Sequence, residues 1–296
     1  MTFGPESDAG IWVPLVTPFR DDAPDLECLA AVVQWLLARG VHGFLALGST
    51  GEAPHLDDGE AEAVLRAVIR AVAGRVPVMA GCSRPSTRGT LLALEASARA
   101  GADAGLVLTP FYYRSQLGDD GLFAYYRDVA AASPLPLFVY SIPQVTGVEM
   151  QPELLARLVA LPNVRGFKDS AASGGPLRGT LQAVSTHGFV GHGGRLVEAL
   201  EAGACGGILA VAHVLPEAAV AAYAAHRAGA PAAASAAQAR LQTLVSAWRG
   251  HGIAGVKFGL QQRGLDCGVP RAPLRPLPPA VQRAVAAAIE AALQPD

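Results

Sequence analysis

Short runs dense in apolar and small residues alternate along this chain with longer stretches in which apolar residues recur every three or four positions. The short runs fall at 11–17, 43–47, 76–80, 104–108, 137–140, 164–168, 188–190 and 206–209. Most are continuously apolar rather than alternating, as in strands buried on both faces. The longer stretches, at 26–39, 57–73, 86–100, 121–132, 152–160 and 195–202, put their apolar side chains on one helical stripe. Such alternation predicts a parallel sheet covered by helices, and eight units in succession fit a closed (β/α)8 TIM barrel better than an open doubly wound sheet. The first strand-to-helix turn also lacks G-x-G-x-x-G, which weighs against a dinucleotide fold. The pattern is thinnest at the last two strands.

Beyond the barrel only helical patterns remain, at 232–248, 253–263 and 278–293, with a proline-rich link over 269–279. The expected organisation is an α/β barrel over 1–229 that holds the active site, and a C-terminal helical extension over 230–296. That extension either covers one side of the barrel or makes subunit contacts.

Composition narrows the partners. With 296 residues, 51% hydrophobic and 16% charged, the chain can bury a large core, and its net charge of −2 gives no reason to expect nucleic acid or an anionic membrane. The alanine-rich runs near 218–238 are broken by Arg, Gly and Pro and read as helices, not membrane spans. Cys28, Cys82, Cys205 and Cys267 are far apart and form no C-x-x-C, so reduced, packed thiols in a cytoplasmic protein are expected. The seven histidines show no metal-ligand spacing, and no metal or cofactor is expected. The first ten residues carry acids where a signal peptide carries bases.

Charge usage then singles out one residue. Of 23 Lys plus Arg, only Lys168 and Lys257 are lysine. Lys168 ends the sixth strand candidate, just before a Ser/Gly-rich loop. Arginine stays protonated, whereas a buried lysine can lose its proton and become a nucleophilic amine. The plain alternative is a snorkelling strand-end lysine or half of an ion pair with Asp169. Lys257 sits in a helical pattern of the extension, where a solvated or interface lysine is the ordinary outcome and exchange to arginine should do little.

Barrels of this kind work at the C-terminal ends of their strands. The second strand ends in Gly48-Ser49-Thr50-Gly51-Glu52, whose hydroxyls and opened backbone make a cup for a carboxylate; the same residues also make an ordinary turn. A phosphate loop is disfavoured, because its lysine is absent. The fourth strand ends in Thr109-Pro110-Phe111-Tyr112-Tyr113-Arg114, and the fifth in Tyr140-Ser141-Ile142-Pro143-Gln144-Val145-Thr146-Gly147. Tyr140 precedes Lys168 by one strand: it is either a satisfied core phenol or a group that passes protons to and from a carbinolamine, with Ser49 or Thr50 as the next link. His192, in Gly191-His192-Gly193-Gly194, is either a loop histidine or a contact for an acceptor substrate.

These motifs, together with Val13-Pro14-Leu15-Val16-Thr17-Pro18-Phe19 and Gly166-Phe167-Lys168-Asp169, resemble in order and spacing the dihydrodipicolinate synthase and N-acetylneuraminate lyase superfamily, over roughly residues 11 to 265. The resemblance implies that Lys168 forms a Schiff base with pyruvate or another 2-keto acid, with Tyr140 as general acid/base. It implies that Gly48, Ser49 and Thr50 hold the carboxylate, that Ser49, Tyr140 and Tyr112 share a proton relay, and that Ile208 offers a backbone carbonyl. In many members the second tyrosine reaches into a neighbouring subunit, so Tyr112 implies a homodimer or homotetramer. A protonated imine is an electron sink, so a C–C bond beside it can break or form without a metal.

One departure bears on the second substrate. In dihydrodipicolinate synthases the fifth-strand loop reads Tyr-Asn-x-Pro-x-Arg-Thr-Gly, and its arginine grips the carboxylate of aspartate semialdehyde; here Val145 stands there. Losing such a contact removes about 1.5–3 kcal/mol per hydrogen bond to a charged group. The expected activity is therefore a pyruvate-dependent class I aldolase or lyase acting on a 2-keto acid, such as a 2-keto-3-deoxy sugar acid, with an aldehyde partner. Dihydrodipicolinate synthesis is the alternative enzyme, if another arginine such as Arg114 substitutes. A non-catalytic 2-keto-acid sensor or scaffold is the alternative of another class.

Overall fold

The computed structural model describes residues 9–171 and 175–294. Eight parallel strands close into a barrel, β1 (Gly10–Pro14), β2 (Gly43–Ala46), β3 (Val78–Gly81), β4 (Ala104–Leu108), β5 (Leu137–Ser141), β6 (Val164–Asp169), β7 (His187–Val190) and β8 (Gly206–Ile208). Each pairs with its sequence neighbours, and β8 pairs back onto β1. The barrel helices are α1 (Leu26–Leu37), α2 (Asp58–Val72), α3 (Thr87–Ala100), α4 (Gly118–Ala132), α5 (Pro152–Val159), α6 (Gly175–Ala183), α7 (Leu196–Glu201) and α8 (Pro216–Arg227). The eight-stranded barrel expected from the alternation is the observed fold.

Local chemistry explains the helix starts. Asp25 caps α1 by accepting the Cys28 N–H, Ser86 caps α3 through the Gly89 N–H, and Asp57 and Glu60 form a reciprocal capping box on α2. Helix α6 is not among the periodic stretches. Its sequence offers only Leu177 and Leu181 one turn apart, opens on Gly175-Pro176 and carries one interior glycine, Gly179, so its stripe is faint. The Ser/Gly-rich loop expected after Lys168 lies in part outside the described residues, at 172–174, as does the N-terminal segment 1–8.

Strand alternation divides the core in two. Leu137, Val139 and Phe167 face the helices, while Trp12, Leu45, Met79, Phe138, Tyr140, Phe189 and Ile208 fill the barrel interior. The pairing of β5 with β6 is interrupted: Leu137 lies opposite Val164, but Phe138 lies opposite Gly166, so Arg165 is the extra residue of a bulge. Beyond it Tyr140 pairs with Lys168, and Ser141 with Asp169.

The C-terminal helices α9 (Pro231–Ala247), α10 (Gly252–Gln262) and α11 (Pro279–Leu293) follow. Helix α9 packs on α8, α11 crosses α9 and α10, and α10 lies against the turn Ala210–His213. All four cysteines are free thiols, but the fold brings two of them together: Cys28 and Cys267 are 3.7 Å apart at sulfur. Sequence distance hid this pair. Among the described residues no helix is long and apolar enough to cross a membrane.

Candidate active site

Lys168 occupies the next-to-last position of β6, inside the barrel at its C-terminal mouth, and is only 5% exposed. Its ammonium lies 4.2 Å from the centroid of the Tyr140 ring, on the face of the aromatic system that attracts a cation. Asp169 is not its partner. Being the next residue, it faces the other side of the strand, where its carboxylate accepts the Ala171 N–H (3.0 Å) and the Leu177 N–H in the first turn of α6 (3.1 Å). Burial pushes the Asp169 carboxyl above its ordinary range, against the lowering effect of those hydrogen bonds. The ion-pair alternative for Lys168 therefore fails, and no carboxylate among the described residues is within ion-pair reach of its ammonium.

Space over the lysine is kept by Gly191, directly after β7. A Cβ there would overlap the Ser170 hydroxyl and come to 3.2 Å from Lys168 Cε. Any larger residue would crowd the amine.

At the mouth end of β2, Gly48 is buried while Ser49 and Thr50 are half-buried. The turn is closed by Gly51 N–H to Gly48 O (3.0 Å) and Glu52 N–H to Ser49 O (3.1 Å), and the Thr17 hydroxyl donates to Gly51 O at 2.7 Å. A Cβ at Gly51 would lie 2.8 Å from the Leu15 carbonyl oxygen, so this position needs glycine for close approach. Ile208 ends β8, its side chain closing the interior beneath the mouth.

Tyr112 is placed otherwise. It is 74% exposed and packs edge-on against Tyr113, with ring centroids 5.0 Å apart, rather than into the barrel of its own chain. Phe111 and Val145 are exposed at the same end of the barrel. The Arg114 guanidinium runs past Gly147, about which a Cβ would lie 3.2 Å from Nε, so it borders the loop that carries Val145. His192 is half-buried beside Gly194, on the side of Gln242 from α9, and burial lowers its pKa. Among the described residues no three His, Cys, Asp or Glu side chains converge as metal ligands.

A sequence profile of the Dihydrodipicolinate synthetase family matches residues 7–292. The chain belongs to the dihydrodipicolinate synthetase family. As a member it is a lyase of that family. An uncharacterised DapA-like lyase of Halobacterium salinarum is 40% identical over 274 residues, 90% of this chain and 88% of that protein. The 4-hydroxy-tetrahydrodipicolinate synthase of Nitrobacter hamburgensis is 35% identical over 91% of this chain and 92% of its own. Among solved structures, YagE of E. coli K12, crystallised in complex with pyruvate, superposes with a TM-score of 0.90 at 27% identity, over 96% of this chain and 98% of its own. A Pseudomonas aeruginosa protein described as a putative dihydrodipicolinate synthetase superposes equally well, with a TM-score of 0.90 at 30% identity and coverage of 96% and 99%.

Sequence reasoning missed one feature of this family member. Lys257 is not solvated: it is 1% exposed, its ammonium sits 2.8 Å from Glu52 Oε1, donates to the Val269 carbonyl at 3.0 Å, and lies 4.4 Å from the Phe19 ring centroid. The other Glu52 oxygen accepts the Arg271 N–H at 2.8 Å. The Arg271 side chain continues outward to Glu60 (2.7 Å) in the first turn of α2 and to Asp22 (3.0 Å). Burial lowers the Lys257 pKa, against the raising effect of Glu52; held by a carboxylate, a carbonyl and a ring, Lys257 makes the contacts of a structural side chain. The available signal was that both lysines of an arginine-rich chain, and an acid within the Gly48–Glu52 loop, were waiting for partners.

Proposed function

We propose that this enzyme is a pyruvate-dependent class I aldolase or lyase in which Lys168 forms a Schiff base with the ketone of a 2-keto acid. The observation that carries the reading is a buried lysine at the barrel mouth whose ammonium faces a tyrosine ring and, among the described residues, has no carboxylate partner. A primary amine at the mouth of the barrel, beside a phenol, is the group that can condense with a ketone. Its lone pair attacks the keto carbon, Tyr140 supplies the proton on which the carbinolamine hydroxyl departs as water, and the resulting iminium draws electrons from the adjacent carbon. Tyr140 then takes or returns the proton of the aldehyde or alcohol fragment. The Ser49 and Thr50 hydroxyls and the Gly48 backbone hold the carboxylate, and the Ile208 carbonyl borders the pocket. The exposed Tyr112 joins the relay from a second copy of the chain in a homodimer or homotetramer, in the cytoplasm.

The substrate read from Val145 is a 2-keto acid whose aldehyde half bears no carboxylate at that place, such as a 2-keto-3-deoxy sugar acid. Incubation with pyruvate and borohydride, then peptide mass mapping, should put one reduced adduct on Lys168. An unmodified protein, or an adduct on Lys257, overturns the assignment.

A second reading is favoured by Arg114, whose guanidinium borders the loop at Gly147. It gives the pocket a cation near the position vacated at Val145, and with it condensation with aspartate semialdehyde. A coupled assay with that aldehyde distinguishes the two: turnover that is lost in Arg114→Ala supports the synthase, and cleavage of 2-keto-3-deoxy sugar acids without it supports the aldolase.

A further inference from the structure

Two cysteines 239 positions apart meet where α1 packs against the segment that leaves α10. Cys28 is the third residue of α1, its N–H capped by Asp25, and its sulfur lies 3.7 Å from that of Cys267 and 3.3 Å from the Asp266 carbonyl. The two thiols are not equivalent. Cys28 is half-buried and forms part of an open surface groove lined by Arg20, Asp25, Ala31, Gly264 and Asp266, whereas Cys267 is fully buried behind it. The contact with Cys267 draws the Cys28 thiol below its ordinary range, against burial and the nearby Asp25 and Asp266 carboxylates, while the same contact and burial push Cys267 up. An accessible thiol 3.7 Å from a buried second thiol is the arrangement of an attacking and a resolving cysteine.

We propose that Cys28 and Cys267 form a thiol-oxidation site that closes reversibly into an intramolecular disulfide when the protein meets a small-molecule disulfide, stapling α1 to the C-terminal segment. The Cys28 thiolate attacks one sulfur of the small disulfide, whose S–S bond breaks, and the departing thiolate takes up the proton Cys28 released. The Cys267 sulfur then attacks the Cys28 sulfur of the mixed disulfide, and the second small thiol leaves with the Cys267 proton. Two protein thiols are oxidised by two electrons, and one small disulfide is reduced to two thiols. The sulfurs must close from 3.7 Å to about 2 Å, a movement within reach of side-chain rotation and a small shift of the segment.

The staple falls at a junction. The Cys267 carbonyl accepts the Phe19 N–H at 3.2 Å, and two residues on, the Val269 carbonyl holds Lys257. A covalent link here also closes most of the chain into one loop, which restricts the unfolded state. Cys82 has no such partner: it is buried against Ser97, and burial pushes its thiol up to about 11.

The full chain, incubated with oxidised glutathione, is alkylated in denaturant, digested without reductant and mapped by mass spectrometry, and its thermal unfolding is followed in parallel. The expected result is a peptide pair joining Cys28 to Cys267 that disappears with dithiothreitol, together with a higher unfolding midpoint in the oxidised than in the reduced protein. Cys28→Ser should lose both effects and leave Cys267 open to alkylation in denaturant. Recovery of both cysteines as alkylated thiols, a stable glutathione adduct on Cys28 beside a free Cys267, or a cross-link with no rise in midpoint would each overturn the proposal. None of these readouts depends on the role of Lys168.

Discussion

Replacing the Tyr140 hydroxyl while keeping its ring separates two jobs held by one side chain. In Tyr140→Phe the aromatic face under the Lys168 ammonium remains, but the proton donor is gone. The expected outcome is continued borohydride trapping with pyruvate and a fall in kcat of roughly 10²–10⁴, measured by steady-state cleavage assays. Lys168→Arg should abolish trapping while circular dichroism stays unchanged, because an arginine cannot form the imine. His213 gives a residue-scale effect on stability. It is fully buried, its Nε2 accepts the Val16 N–H at 3.1 Å and its Nδ1 faces the Ala210 carbonyl at 3.0 Å, so the folded protein needs the neutral ring. Burial lowers its pKa from 6.5 to about 4. The unfolded chain binds the extra proton first, so this contribution is complete above pH 6.5 and is lost as the pH falls towards 4, in total ~3 kcal/mol. Urea unfolding at a series of pH values should show that loss in the wild type, and a smaller dependence over the same window in His213→Gln.

The elements meet through charge as well as packing. Helix α10 brings Lys257 to Glu52, so the loop expected to hold the substrate carboxylate is anchored to the C-terminal extension. In Lys257→Met the Glu52 carboxylate keeps the Arg271 N–H but loses its buried counter-ion, a change that costs about 3–5 kcal/mol. The double variant Glu52→Gln/Lys257→Met should recover much of that loss in urea unfolding, because no charge is then stranded. Lys257→Arg, which sequence position alone marks as harmless, is expected to destabilise: a wide guanidinium must replace an ammonium between a carboxylate, a carbonyl and the Phe19 ring. The periodic pattern placed α10 correctly to within a residue at each end, yet a helical stripe states only which face is buried, not what is buried opposite it. That is why the Glu52–Lys257 pair was illegible.

At the scale of the whole molecule, the exposed Phe111, Tyr112, Tyr113 and Val145 at the barrel mouth leave the proposed proton relay one phenol short within a single chain. If Tyr112 serves a second copy, Lys168→Arg and Tyr112→Phe subunits each lack half of every site, but a mixed oligomer contains sites that draw both residues intact. Mixing the two inactive or weakened variants under conditions of subunit exchange should restore activity well above that of either alone. Sedimentation velocity should show a dimer or tetramer, and Tyr112→Ala should lower activity without loss of imine trapping.

The order of the strands and of the helices other than α6, the closure into a barrel and the strand ends that bear Ser49, Tyr140 and Lys168 were determined by the sequence itself. Continuous apolar runs and helical stripes are local signals, and a repeated strand–helix unit has few ways to close. Tertiary structure decided the partnerships. Had β5 and β6 kept their register from Leu137 opposite Val164, Tyr140 would pair with Phe167; the bulge at Arg165 moves it opposite Lys168 and puts amine and phenol on the same face. A one-residue bulge leaves little trace in periodicity. The same holds for Glu52 with Lys257 and for Cys28 with Cys267, where residues far apart in the chain meet only because the barrel closes and the C-terminal helices fold back against it.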